Sequence, residues 1–201
     1  MKAIRTDRGR RLSWFRDHMP NGQLVLDASV LINLLGCCAA AEVFSTLDLP
    51  CIVEEKVFGE ISRHPIPGLC HTEELQALQN AGFIERVRMG EEEYSSFLSL
   101  IQAPLGQRLD AGESATLVVA QQRGLSVVID ENKARSYIRS NMPRVAAVST
   151  LKLLISATVR LGKDAVYLQE LVAAARKNSR MGVPKDEKQL LVDVLAIERL
   201  Q

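Results

Sequence analysis

The feature that most constrains the fold is an alternation of short apolar runs with longer helical patterns, which extends from Gln23 to about Thr150. The apolar runs short enough to be strands are residues 24–26, 51–53, 83–87, 126–129 and 145–148. The run at 83–87 alternates like an exposed or edge strand. Strands that alternate with helices predict an α/β fold with right-handed βαβ crossovers and a central, mostly parallel sheet.

A chain of 201 residues corresponds to about one such domain, since domains usually contain roughly 100–200 residues. No apolar run approaches the roughly 18–20 residues that span a bilayer. The arginines near the N-terminus precede no apolar segment, so no signal peptide is predicted. We therefore expect a cytoplasmic protein with buried, reduced thiols. Its cysteines, Cys37, Cys38, Cys51 and Cys70, form no C-x-x-C pair.

The same pattern divides the chain into three parts. Residues 1–22 are rich in arginine and end in a turn signal, which predicts a basic arm that is either a flexible tail or a contact for phosphates. Residues 23–161 contain the alternating elements. Residues 162–201 are predicted to form a helical extension packed on the same domain, with a polar loop at 176–188 between two helices.

Acidic residues occur where predicted strands end and helices begin. Asp27 follows the strand at 24–26, Asp130 follows the strand at 126–129, and Glu113 lies in the first turn of the next strong helical pattern. In a parallel sheet the carboxyl ends of the strands form one edge, where ligand crevices open. Asp27 and Asp130 should therefore face the same crevice if their strands are neighbours.

Each acid also has a purely structural interpretation. Aspartate is a favoured N-cap, so Asp27 and Asp130 could cap the helices that follow them. Asp110 and Glu113 fit a capping box. Glu60 could pair with Lys56 one helical turn earlier, or it could point inward beside an apolar stripe.

Taken together, four segments resemble the PIN-domain family, and more narrowly the branch related to VapC-type toxins. The segments are residues 25–34, 53–61, 110–116 and 128–135, and the likeness runs from about residue 24 to 161. The resemblance implies a three-layer α/β/α nuclease whose metal-binding and catalytic acids are Asp27, Glu60, Glu113 and Asp130. It implies a supporting role for Ser29. Glu54 and Glu55 are the rivals to Glu60, and Asp110 or Glu131 could assist the other acids.

The chemistry expected of such a site is metal-assisted hydrolysis of a phosphodiester. Clustered carboxylates repel one another, and Mg²⁺ or Mn²⁺ would compensate their charge because both ions prefer oxygen ligands. Two such ions could activate water and stabilise the leaving oxygen. The net charge of +1 predicts no strong global attraction to nucleic acid, so a local basic patch is required. Lys133 and Arg135 are the predicted substrate-binding residues, with a solvated helix surface as the alternative.

The expected substrate is RNA, and the expected partners are a small antitoxin-like protein and a second copy of the chain. The long C-terminal helical region and the basic arm depart from the compact toxins. The alternative function is a PIN-like module that binds RNA or a protein without cleaving it. A dehalogenase-type phosphoryl transferase is disfavoured because Ser29 stands where that chemistry needs a second aspartate, and no glycine-rich nucleotide-binding loop occurs.

Overall fold

The computed structural model describes residues 19–20, 22–61, 71–104 and 108–196. The predicted basic arm at 1–22 therefore lies almost entirely outside the described residues. Cys70 and the last residues of the C-terminal extension also lie outside them.

The described strands form one sheet in which every pairing is parallel. Its members are β1 (Leu24–Leu26), β2 (Cys51–Glu54), β3 (Ile84–Val87), β4 (Ser126–Val128) and β5 (Ala147–Val148). The order across the sheet is β3-β2-β1-β4-β5. The predicted parallel sheet is confirmed, and β3 is an edge strand as its alternation predicted. The strands β2 and β3 follow on one side of β1, and β4 and β5 follow on the other side. The topological switch point, where the order of the strands reverses, therefore lies between β1 and β4.

Helices connect and cover these strands. The described ones are α1 (Ala28–Gly36), α2 (Ala40–Leu47), α3 (Glu55–Ile61), α4 (Thr72–Asn80), α5 (Glu91–Ile101), α6 (Ala111–Arg123), α7 (Asn132–Asn141), α8 (Thr150–Arg160), α9 (Ala165–Ser179) and α10 (Lys188–Ala196). A short 3-10 helix, Lys185–Glu187, precedes α10.

The sheet separates two apolar layers, because successive side chains of a strand point to opposite faces. Leu24 and Leu26 of β1 belong to the layer that contains α1, α2, α8 and α9. Val25 between them belongs to the layer that contains α6 and α7. All three side chains are fully buried. The result is the three-layer α/β/α arrangement expected from the sequence.

The C-terminal segment docks on the first helix of the domain. The Asn178 side-chain amide donates to the Gly36 carbonyl over 2.9 Å. A Cβ atom at Gly36 would lie 2.7 Å from the Ser179 Oγ, so this close approach requires a glycine. Helix α9 extends to Ser179, further than predicted. The predicted loop at 176–188 is thus shorter and consists of residues 180–184, which precede the 3-10 helix.

Two further expectations meet the described residues. No single described helix is both long and apolar enough to cross a membrane, and α1 with α2 pass that test only as a pair bent by 112°. Cys37 and Cys51 are buried free thiols, but Cys38 is exposed, so the expectation of burial is wrong for that residue.

Candidate active site

Asp27 stands at the carboxyl end of β1, on the central strand of the sheet. Its backbone N–H donates to the Val128 carbonyl of β4, which extends the β1–β4 pairing past the end of the strand. Its Oδ2 accepts hydrogen bonds from the Ser29 backbone N–H at 3.2 Å and from the Ser29 hydroxyl at 2.6 Å. Ser29 thus fixes the carboxylate at the start of α1, and Asp27 is also the N-cap of that helix.

Asp130 follows β4 and is held by residues from two other elements. Its Oδ1 accepts from the Thr150 backbone N–H at 2.8 Å, and its Oδ2 accepts from the Thr150 hydroxyl at 2.6 Å. The Asn33 amide also donates to Oδ2, at 3.0 Å. Glu131, not Asp130, caps α7, so the capping alternative is wrong for Asp130. Asp130 instead joins α1 to the N-terminus of α8 at the switch point.

Glu113 occupies the first turn of α6 and takes part in a capping box. The Asp110 carboxylate accepts the Glu113 backbone N–H at 2.7 Å, and the Glu113 carboxylate accepts the Asp110 backbone N–H at 3.1 Å. The capping interpretation is therefore confirmed, but it does not exclude a place in the site. Asp27 and Glu131 lie near enough for their charges to act on the Glu113 carboxyl.

The electrostatics of these acids reflect burial and mutual repulsion. Burial raises the pKa of Asp27 to about 6, partly opposed by the Ser29 hydrogen bonds and aided by the charge of Asp110. Burial, followed by the charge of Asp110, raises the pKa of Glu113 to about 7. Desolvation also raises the pKa of Asp130, against the hydrogen bonds from Thr150 and Asn33. Each carboxylate would therefore be stabilised by a nearby positive charge.

Glu60 reaches across from α3 to the N-terminus of α6. A Cβ atom at Gly112 would lie 2.5 Å from the Glu60 Oε2 and 2.9 Å from its Oε1, so Glu60 rests against this glycine. Lys56, the alternative partner of Glu60, extends its ammonium over the rings of Tyr94 and Phe97 instead. Glu60 consequently points into the site.

Glu54 and Glu55, the two rivals to Glu60, are engaged elsewhere. The buried Glu54 carboxylate accepts the Lys56 backbone N–H at 2.6 Å. Glu55 forms ion pairs with Arg86 and Arg88. Neither glutamate lines the cleft that contains Glu60.

An open cleft of about 650 Å³ collects these side chains, and we call it the carboxylate cleft. The acids that line it are Asp27, Glu60, Asp110, Glu113, Asp130 and Glu131. Two such charges about 5 Å apart repel by roughly 3 kcal/mol at an effective dielectric constant of about 20. The cleft is therefore suited to bind a small cation with a high charge.

The donor set fits a hard divalent ion bound partly through water. Within the described residues, no group of three or more Asp, Glu, His or Cys side chains has the geometry of a preformed metal site. Mg²⁺ keeps several water ligands and is commonly bound through one or two carboxylates together with substrate phosphates. The carboxylate oxygens that line the cleft are donors of this kind.

A comparison of the sequence with known protein families identifies the family of this chain. The model of a family described as a PIN domain matches residues 23–167, which is most of the chain. The chain belongs to the PIN-domain family. PIN domains are generally nucleases and typically use divalent metal ions. No curated protein and no solved structure matches the chain.

In this PIN domain, the substrate role predicted for Arg135 is wrong. Arg135 is only 5% exposed, and its guanidinium contacts Glu187 at 2.9 Å and Asp186 at 3.1 Å. It also donates to the Ile129 carbonyl over 3.4 Å. The side chain is thus held by acids of the C-terminal segment and is not available for a phosphate.

Lys133, the other predicted substrate-binding residue, is exposed at the start of α7. Its ammonium donates to the Arg108 carbonyl, and the residue does not line the carboxylate cleft. Its predicted contact with substrate stays a prediction.

Sequence reasoning missed several residues of the cleft. Asn33 and Thr150 orient Asp130 but were given no role. A polar Asn33 within an apolar helix was a usable signal, since a buried amide needs a partner. Ser179 and Arg180 also line the cleft, and no local pattern could reveal this because they lie about 150 residues after Asp27 in the sequence.

Proposed function

We propose that this PIN domain is a divalent-metal-dependent nuclease that hydrolyses phosphodiester bonds, with RNA as its substrate class. Its catalytic, metal-binding acids would be Asp27, Glu60, Glu113 and Asp130. The observation that carries the proposal is the position of these four side chains in one cleft at the switch point of a parallel sheet. Ligands of open α/β sheets bind at this point.

The acids divide into two kinds by their surroundings. Asp27 and Asp130 stand at strand ends and would contact Mg²⁺ or Mn²⁺ directly. Glu60 and Glu113 extend from the helices α3 and α6 and would hold the ion or its water ligands. The bound ion supplies charge neutralisation for the phosphate and a water of lowered pKa.

Neighbouring polar groups keep the two aspartates in place. Ser29 donates two hydrogen bonds to one oxygen of Asp27. Thr150 and Asn33 donate to Asp130 from two separate helices. Such outer partners commonly contribute about 10–100-fold to metal affinity or activity. Ser29 is thus a positioning residue in the proposed site.

The proposal is tested with single-stranded RNA oligonucleotides in Mg²⁺ or Mn²⁺. Asp27→Asn and Asp130→Asn should each lower the rate of cleavage by about 100-fold or more, beyond the roughly 10–100-fold cost of losing an outer partner of a ligand. Asp48→Asn is the matched control, because Asp48 is exposed and its left-handed backbone (φ 49°) suits asparagine. A chelator should stop cleavage. Equal cleavage by wild type and Asp27→Asn would show contamination and overturn the proposal.

One observation favours the second candidate, a PIN-like module that binds RNA without cutting it. The described acids form no preformed group of three metal ligands. Binding of RNA by the wild type, without cleavage in Mg²⁺ or Mn²⁺, would select this candidate. The VapC-like toxin role, an antitoxin-like partner and a homodimer stay predictions from the resemblance.

A further inference from the structure

The carboxylate cleft contains one basic residue among the described residues that line it. Arg180 follows α9 and is exposed, whereas every other charged residue of the cleft is acidic. Within the described part of the chain, its guanidinium forms no hydrogen bond or ion pair. A cation that has no partner among the described residues and lies beside the acids of the cleft is available to an anionic ligand.

The backbone at Arg180 is one that favours glycine. Arg180 has φ 57° and ψ 34°, in the left-handed region, and ends α9. Its N–H donates to the Arg176 carbonyl at 3.1 Å, and the Met181 N–H donates to the Ala175 carbonyl at 3.4 Å. Glycine usually occupies this position of such a helix end. An arginine at this position is less favourable for the backbone than a glycine, which points to a role for the arginine side chain.

The segment that carries Arg180 is fixed on both sides. Before it, Ser179 packs against Gly36, where no Cβ atom would fit. After it, the Lys185 backbone N–H donates to the Asn132 side chain over 2.9 Å. The Arg135–Glu187 ion pair then holds the following 3-10 helix to the end of β4. Arg180 therefore extends from a supported segment beside the cleft.

We propose that Arg180 binds a phosphate group of the phosphodiester substrate beside the carboxylate cleft. This rests on the proposed nuclease function. The acids repel the substrate backbone, so a cation next to them is needed to keep a phosphate near the site. A guanidinium suits this task, because its planar donors match two phosphate oxygens at once. Arg180 lies beyond residues 23–167, so the contact comes from the C-terminal segment of this chain and not from the family-matched part.

The binding test uses the full chain with Asp27→Asn in every sample, so that the RNA is not cleaved. Arg180→Gly removes the cation and fits the left-handed backbone, which protects the fold. Arg176→Ala is the control for net charge, because Arg176 is exposed one turn earlier and does not line the cleft. Affinity for a single-stranded RNA oligonucleotide in Mg²⁺ is measured over a range of salt concentrations.

Arg180→Gly should weaken RNA binding about tenfold, which corresponds to about 1.4 kcal/mol. The slope of log affinity against log salt should become shallower by about 0.7, the value for one phosphate contact on a single strand. Arg180→Lys should bind with intermediate affinity. With Asp27 restored, Arg180→Gly should raise KM more than it lowers kcat, since a ground-state contact is lost.

The two proposals fail in different ways. If wild type cleaves RNA and Arg180→Gly matches Arg176→Ala in affinity and salt slope, the role of Arg180 is overturned and the nuclease function stands. If wild type does not cleave RNA in Mg²⁺ or Mn²⁺, the proposed function itself is overturned.

Discussion

Two clusters of charged side chains lie near the end of β4. They differ in whether the charge of a buried acid is neutralised by basic side chains of the protein. In the carboxylate cleft, Asp27 and Glu113 are 5% and 6% exposed and have raised pKa values. In what we call the ion-pair cluster, Glu187 is 4% exposed but lies 2.9 Å from the Arg135 guanidinium and 3.3 Å from the Lys152 ammonium. It also accepts the Ser149 hydroxyl.

The difference shows that burial alone does not determine the role of an acid. The ion-pair cluster neutralises its charge with the protein's own side chains, so it joins the C-terminal segment to the sheet without a ligand. The carboxylate cleft leaves much of its repulsion uncompensated. The first cluster therefore holds the C-terminal segment in place, whereas the second lowers stability through a repulsion that a bound cation would relieve.

The largest expected effect comes from breaking the ion-pair cluster. Arg135→Met should lower the free energy of unfolding by about 3–5 kcal/mol, because it leaves Glu187 buried beside only one remaining cation. Urea unfolding followed by circular dichroism measures the loss. The double variant Arg135→Met with Glu187→Leu should recover much of it, since the unpaired charge is removed. A loss below about 1 kcal/mol in Arg135→Met would contradict a structural role for the cluster.

A smaller effect of opposite sign is expected in the carboxylate cleft. The folded pKa of Asp27, about 6, lies above the ordinary aspartate pKa of 3.8. Its stabilising contribution is thus present below the unfolded pKa and is lost as pH rises through about 6. Asp27→Asn should therefore raise the free energy of unfolding by about 2–3 kcal/mol at pH 8 in metal-free buffer.

The same variant should approach wild type in stability as the pH falls to about 4 and below, where the Asp27 carboxyl is protonated in the folded chain and becomes protonated in the unfolded chain. Chemical denaturation at pH 8 and at pH 4 gives the comparison. Asp48→Asn, at an exposed position, should show neither effect. If Asp27→Asn were less stable than wild type at pH 8, Asp27 would be a structural acid like Glu187.

The smallest effect on stability is expected at Gly112, where activity should change instead. Gly112→Ala would displace the Glu60 carboxylate from α6 and lower RNA cleavage by about tenfold, as for a disturbed metal-ligand partner. Stability should stay within about 1 kcal/mol, because alanine favours the helix and the end of Glu60 can move. Gly59→Ala is the matched control, since a Cβ atom there meets no atom within 4 Å. Equal rates of RNA cleavage by the two variants would show that Glu60 has no role in the proposed active site.

Much of the fold could be predicted from local pattern. Residues 24–26 and 126–129 are short apolar runs followed by acids, and the sheet indeed places β1 beside β4. The position of Asp27 and Asp130 at one edge then follows from the parallel geometry. Local pattern leaves the direction of the Glu60 side chain open, because it depends on Gly112, a contact between two helices that no periodicity reveals.

Arg135 shows why the remainder could not be predicted. Its position after Asp130 on a polar helix predicts a contact with substrate or, alternatively, a solvated surface, yet Arg135 lies beside Ala134 and Ile138 on the buried face. Its partner Glu187 is 52 residues away in the sequence. Only the tertiary fold brings that acid to α7. Arg180 is likewise far from Asp27 in the sequence, so its place in the cleft could not be predicted from local pattern.

The contact between Asn178 and Gly36 joins positions that are 142 residues apart. During synthesis, the strands of the sheet emerge long before the segment that packs on α1 and completes one side of the cleft. Contacts of such separation close a large loop, so they form late and slow the acquisition of the native state. Because α9 also covers one face of β1, the cleft would be complete only after this segment has packed on α1, and any hydrolytic activity would wait for that step.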